Sequence, residues 1–183
     1  MSHLILQDPR VHDLLLKIDR DQAAKRRREG CAFCGGRLHC GDFPRKPRGV
    51  APSVRALYST RFSFDCGRCD KRATPPSVRF MGPRRYVAAV LALVCPRGPA
   101  SRSWLCQALK VAPATVRRWR QWWHERFAWS AEWLLKRADL VPPVDETALP
   151  GSAIERFEAT DPGERLVQFL RFLLPSTTGV LPV

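Results

Sequence analysis

Residues 101–127 read SRSWLCQALKVAPATVRRWRQWWHERF, and the fold turns on how this stretch is parsed. Trp104, Leu105 and Leu109 recur at helical spacing behind Ser101 and Ser103, either of which can cap a helix. Lys110-Val111-Ala112 then makes a turn, and Pro113 suits the first position of a following helix. In that second helix Val116, Trp119 and Trp123 fall at i, i+3 and i+7 and form one buried stripe. Trp122 cannot share the face of its neighbour Trp123 and is expected to cover the junction with the segment that follows. Thr115, Arg117, Arg118 and Gln121 are left on the outer faces. Two helices joined by a tight turn, the second of them basic, make the pattern of a helix-turn-helix.

The charge of the whole chain points the same way. Its formal net charge is +14 and its sequence pI about 10.4. The excess is segregated: residues 81–126 hold nine Lys/Arg against one Asp/Glu, whereas residues 127–183 hold five against eight. A solvated surface accounts for the total but not for the segregation, and a polyanionic partner accounts for both. Double-stranded DNA is the partner that a basic helix-turn-helix fits. On this reading Thr115, Arg117, Arg118 and Gln121 face base edges, while Arg120, Arg84, Arg85 and Arg102 meet phosphates. The plainer alternative is a charged amphipathic helix packed within an all-α domain.

N-terminal to this block stand two Cys-x-x-Cys pairs, Cys31-Ala-Phe-Cys34-Gly-Gly and Cys66-Gly-Arg-Cys69. Each pair can aim two thiolates at one ion from a tight turn, and two such knuckles on β-hairpins complete a tetrahedral zinc ribbon. Cys31, Cys34, Cys66 and Cys69 are therefore expected to hold one structural zinc, with His39 or Cys40 as substitutes for one of the four. A redox pair or plain buried cysteines are the competing readings. Between the knuckles Phe43-Pro-Arg-Lys-Pro-Arg-Gly49 forms a loop stiffened by proline, with Arg55 and Arg61 after it. Arg45, Lys46 and Arg48 on that loop are candidates for a phosphate backbone or a minor groove.

The remaining segments read as helices. Asp8 caps and Pro9 begins a helix with Val11, Leu14, Leu15 and Ile18 on one face, closing in Lys25-Arg26-Arg27-Arg28 before Gly30. Tyr86 to Val94 is apolar enough for the scaffolding helix of a three-helix unit. Helices are also expected at 130–140, 152–159 and 162–174. The last is apolar on more than one face, so it either packs back on the protein or presents a surface for self-association or a protein partner. The predicted fold is α+β, mainly α. It has an N-terminal helix (1–30), a zinc ribbon with a basic Pro/Arg loop (31–80), a tri-helical helix-turn-helix (81–127) and a helical C-terminal extension (128–183). No secretory pattern or membrane-length apolar run is present, so a cytoplasmic, nucleoid-associated protein without a small-molecule substrate is expected.

The ribbon pairs CAFC and CGRC followed by LCQALKVAPATVRRWRQWW resemble the DNA-binding front end of bacterial insertion-sequence transposases and related small mobile-element proteins, over residues 30–127. The resemblance implies recognition of terminal inverted repeats. Such transposases also carry a catalytic core in which three carboxylates hold two metal ions. Here 56 residues follow Phe127, and Asp139, Asp145, Glu146, Glu155 and Glu158 fall in loops or short helices. No catalytic residue is expected. The sequence reads as a non-enzymatic, zinc-containing DNA-binding protein, an accessory factor or regulator of a mobile element. Two alternatives stand beside it: the DNA-binding subunit of a transposase or recombinase with its catalytic core elsewhere, and a zinc-ribbon protein–protein adaptor.

Overall fold

A 21-residue helix, α2 (Pro9–Glu29), runs through both hydrophobic cores of the protein and ties them together. The computed structural model describes residues 2–81, 86–93 and 99–174. Asp8 caps α2 by accepting from the Arg10 amide at 3.0 Å, and Pro9 stands at its first position, as the sequence predicts. Val11, Leu15 and Ile18 enter the larger core and Ala23 the smaller, whereas Leu14 is exposed. The basic last turn ends at Gly30, whose φ of 74° breaks the helix, and Arg26 and Lys25 pair with Glu29 within it. A short helix not foreseen from the sequence, α1 (Ser2–Gln7), precedes it.

The smaller core lies under a three-stranded antiparallel sheet, β1 (Leu38–Cys40), β4 (Phe64–Cys66) and β5 (Arg72–Ala73), in the order β1-β4-β5. Leu38, Phe64 and Ala73 pack there with Cys31 and Cys66. The chain between β1 and β4 leaves as β2 (Phe43–Pro44), passes through the Pro/Arg loop and a 3-10 helix at Pro52–Tyr58, and returns as β3 (Thr60–Arg61). β2 and β3 pair antiparallel, Phe43 opposite Arg61. Buried Tyr58 closes that 3-10 helix.

The larger core is helical. A two-residue hairpin arm, β6 (Phe80–Met81) with β7 (Tyr86–Val87), leads into α3 (Ala88–Leu93). The expected scaffolding helix from Tyr86 is therefore shorter: Tyr86 and Val87 are extended because they pair with Met81 and Phe80. Next come α4 (Pro99–Leu109) and α5 (Pro113–Gln121), joined by Lys110–Ala112. Lys110 takes a left-handed φ of 50° to end α4, and the Val111 amide donates to the Cys106 carbonyl at 3.1 Å. Val116, Trp119 and Trp123 are all buried, as their spacing requires.

Trp122 is buried as well, and a π-helical turn at Trp122–Phe127 explains how. Widening the helix by one residue per turn brings Trp122, Trp123 and Phe127 onto one side, with ring centroids 4.6–5.4 Å apart. The C-terminal part closes this aromatic core. Its helices are α6 (Ala131–Lys136, capped by Ser130), α7 (Gly151–Ile154) and α8 (Pro162–Phe172, capped by Asp161). The first is shorter than expected, with a 3-10 turn at Arg137–Asp139, and α7 spans only four residues. Leu166, Val167, Phe169 and Leu170 of α8 are buried, so its apolar faces pack back on the protein.

Two buried polar groups hold the halves in register. The Asp19 carboxylate of α2 accepts from Ser77 Oγ at 2.6 Å, the Val78 amide at 2.7 Å and Arg79 Nε at 2.7 Å. The same Arg79 donates to the carbonyls of Leu57 and Thr60. His12 Nε2 donates to the Leu6 carbonyl at 2.9 Å, and in the neutral ring that burial favours Nδ1 accepts from the Tyr58 hydroxyl at 2.6 Å. Burial lowers the His12 pKa and raises that of Tyr58.

Replacing Asp19 by Asn leaves the Arg79 cation buried without its counter-charge, and the expected loss is about 3 kcal/mol in urea denaturation. A loss within experimental error would show that the pair is idle. His12 predicts a pH dependence. Its folded pKa lies below the ordinary ~6.5, so as the pH falls through 6.5 the unfolded chain protonates first and stability declines. The stability gap between wild type and His12→Gln should therefore narrow from about pH 7 to pH 5; a constant gap contradicts the assignment.

Candidate metal centre and nucleic-acid interface

Each Cys-x-x-Cys pair forms the same backbone turn. The Gly35 amide donates to the Cys31 carbonyl at 2.9 Å, and the Cys31 amide to the Gly36 carbonyl at 2.9 Å. In the second pair the Asp70 amide donates to the Cys66 carbonyl and the Cys66 amide to the Lys71 carbonyl, both at 3.0 Å. The residue after the second cysteine is left-handed in both, Gly35 at φ 68° and Asp70 at φ 55°. Asp is among the few residues that tolerate this region, so the second knuckle needs no glycine there. The two turns thus face each other as near-equivalent halves.

They bring Cys31, Cys34, Cys66 and Cys69 together with all four Sγ atoms within 4.8 Å of one another. Cys31 and Cys69 are 3.6 Å apart and Cys34 and Cys66 3.5 Å, far beyond a disulfide bond of ~2.05 Å. A tetrahedron with metal–sulfur bonds of ~2.3 Å has edges of about 3.8 Å, so this spacing suits one ion at the centre. A Cβ on Gly36 would lie 3.0 Å from Cys66 Sγ and 3.2 Å from Cys34 Sγ, so the sulfurs take the space a side chain would fill.

Backbone amides favour thiolate at this site. The N–H of Phe33, followed by that of Cys34, lowers Cys31 to about 6 against burial. Those of Arg68 and Cys69 lower Cys66. At Cys69 the Lys71 amide pulls the same way, but burial and the three neighbouring thiols push it up to about 12. Four thiols this close ionise together only if a cation sits among them. His39 and Cys40 stand outside the cluster and both are exposed; the His39 ring covers Gly67, where a Cβ would meet its Nε2 at 2.8 Å. The four sulfurs can hold a metal ion, and all four tetrahedral positions are then filled by protein.

The predicted nucleic-acid contacts fall into three groups. Arg45, Lys46 and Arg48 of the Pro/Arg loop and Thr115 and Arg118 of α5 line one groove of about 320 Å³, together with Pro44, Pro47, Phe80, Tyr86, Val87 and Trp119. The loop is seated by Gly49, at φ 74°, where a Cβ would lie 3.3 Å from both the Trp119 ring and Val90. That close approach is what lets a segment 70 residues earlier in sequence, counted from Gly49 to Trp119, reach α5. Arg117 and Gln121 form a second group, exposed one helical turn apart on the outer face of α5, while Arg120 is half-buried. Arg84 and Arg85 lie outside the described residues, and of the Arg102 side chain nothing is described.

Arg61 is not a surface cation. It is buried, donates to the Pro75 carbonyl at 3.1 Å and lies over the Phe80 ring. Arg79, likewise buried, belongs to the Asp19 network. Periodicity gave no hint of either, because a single charged residue in a short strand looks the same whether it faces water or a buried carbonyl. Among the described residues no helix is long and apolar enough to cross a membrane. No protein-family model, curated protein or solved structure matches the chain.

Elemental analysis of freshly purified protein should give one transition-metal ion per chain. Cys31→Ser and Cys66→Ser should each lose it and loosen the β1-β4-β5 sheet, seen as faster amide exchange there than in α8. Metal-free protein with an unchanged exchange pattern would overturn the assignment.

Proposed function

We propose that the chain is a zinc-containing DNA-binding protein without catalytic activity of its own. The observation that carries this reading is the convergence of two separately predicted basic elements on one groove. The Pro/Arg loop brings Arg45, Lys46 and Arg48, and α5 brings Arg118 and Thr115. Chance surface charge gives no reason for the loop to dock beside the one helix that presents arginine on a tryptophan frame. Cations so placed suit phosphates, which set register without reading sequence.

Helices α4 and α5 with their three-residue turn act in this reading as a helix-turn-helix, and α5 enters a major groove. Arg117 and Gln121 are exposed on its outer face, and in this reading they bond to base edges, Arg to guanine and Gln to adenine. The metal is zinc and structural: four thiolates in a tetrahedron suit it, and no position is left open for water. The two knuckles and their sheet then form a zinc ribbon whose purpose is to brace the Pro/Arg loop. A role as accessory factor or regulator of a mobile element rests on the resemblance of residues 30–127 alone.

A protein–protein adaptor is the second reading. It is favoured by exposed Trp129, Leu135 and Val141, which are 73%, 77% and 82% accessible around α6. The two readings make different demands on DNA. Selection of bound fragments from random genomic DNA should return an enriched motif under the first and none under the second. With a selected site, Arg117→Ala should flatten discrimination at one base position by about tenfold. Arg48→Ala should weaken all sequences alike and reduce the slope of log K against log salt by about 1. Salt-insensitive binding that is equal in wild type and both variants would sink the DNA reading.

A further inference from the structure

The groove beside α5 has more depth than a phosphate contact uses. A backbone phosphate is met by side chains at a surface and needs no concavity. Here the lining is graded. Lys46, Arg48 and Arg118 are exposed, Tyr86 is half-buried, and Phe80, Val87 and Trp119 are buried. Cationic outside and aromatic inside, the groove offers about 320 Å³, at the small end of ligand cavities of about 300–1,000 Å³. A duplex cannot enter a space of that size, but one nucleotide can.

We propose that this groove receives a single unpaired nucleotide of a bound DNA. Its phosphate lies among Lys46, Arg48 and Arg118, and its base lies against Tyr86. The inference rests on the DNA-binding reading above and adds a structural preference to it. Stacking on an aromatic ring is tolerant of base identity because every base has a π-face. The groove therefore senses a break in pairing, while Arg117 and Gln121 face the paired sequence beside it. Thr115 Oγ1, which accepts from Arg118 Nη2 at 3.3 Å, adds a hydroxyl at the groove wall that can bond to a base edge or a phosphate. A base already unpaired enters more readily than one that must first be taken from a stack.

Fluorescence anisotropy with a fully paired duplex and the same duplex carrying a one-nucleotide bulge tests this. Wild type should bind the bulged duplex about tenfold more tightly, as loss or gain of one stacked base commonly gives. Tyr86→Phe should keep the preference, and Tyr86→Leu should abolish it. Lys46→Glu, on an exposed side chain, keeps the test open if Tyr86→Leu fails to fold. It should lower bulged-duplex affinity more than paired-duplex affinity, and an equal loss on both overturns the proposal. Equal binding of both duplexes by wild type, or a bulge preference that survives Tyr86→Leu, also overturns it and leaves DNA binding intact. Absence of salt-sensitive binding to either duplex removes the DNA reading and this inference with it.

Discussion

A carboxylate buried to 2% accessibility, Asp19, sets the relation between the cysteine-bearing sheet and the helical core. Its three donors come from Ser77, Val78 and Arg79, the residues that carry the chain out of the sheet and into the hairpin before α3. Arg79 then reaches on to Leu57 and Thr60, which flank the return path of the Pro/Arg loop. An ion pair removed from water is a weak source of net stability, because desolvation offsets much of the attraction. Its effect is one of selection. Any packing of sheet against core that parts Asp19 from Arg79 strands two buried charges, so other arrangements are strongly disfavoured. His12 and Tyr58 add a second constraint a short way along α2, since both groups are buried and each completes the other's hydrogen bonding.

Those constraints explain what could and could not be read from the sequence. Patterns that depend on local geometry were legible. The Asp8-Pro9 cap, the Val116-Trp119-Trp123 stripe and the paired Cys-x-x-Cys turns all stand where spacing placed them. Each is decided by residues within a helical turn or a knuckle. Asp19, His12, Arg61 and Arg79 were not legible as interior groups, because their partners lie up to 60 residues away. Tyr86 and Val87 were misread for a similar reason: their apolar run suits a helix, and only pairing with Phe80 and Met81 makes them a strand.

The π-helical turn after α5 is an intermediate case. Spacing correctly forbids Trp122 and Trp123 from sharing one face of an α-helix, and the chain escapes by ceasing to be one. An aromatic cluster then forms from Trp122, Trp123, Phe127 and Trp133, with Phe169 of α8 against Trp123. Large buried rings contribute heavily to such a core, so their packing outweighs the looser hydrogen bonding of a wide turn. The same cluster holds α5 from behind. Arg117 and Gln121 on its outer face are thereby left exposed.

The two walls of the groove have different physical origins. α5 is held by the aromatic core, whereas the Pro/Arg loop is rooted in β1 and β4, the strands that carry the chain from the first knuckle and into the second. Leu38 pairs with Cys66 and Cys40 with Phe64, so an ion held by the four sulfurs would clamp both ends of the excursion from residue 41 to residue 63. The far end is seated independently, by Gly49 against Trp119. A small sheet of two- and three-residue strands has little apolar area with which to hold such a loop alone. A metal bound there would supply at the roots what the sheet lacks. Loss of such an ion would therefore loosen one wall of the groove and leave the other, held by the aromatic core, standing.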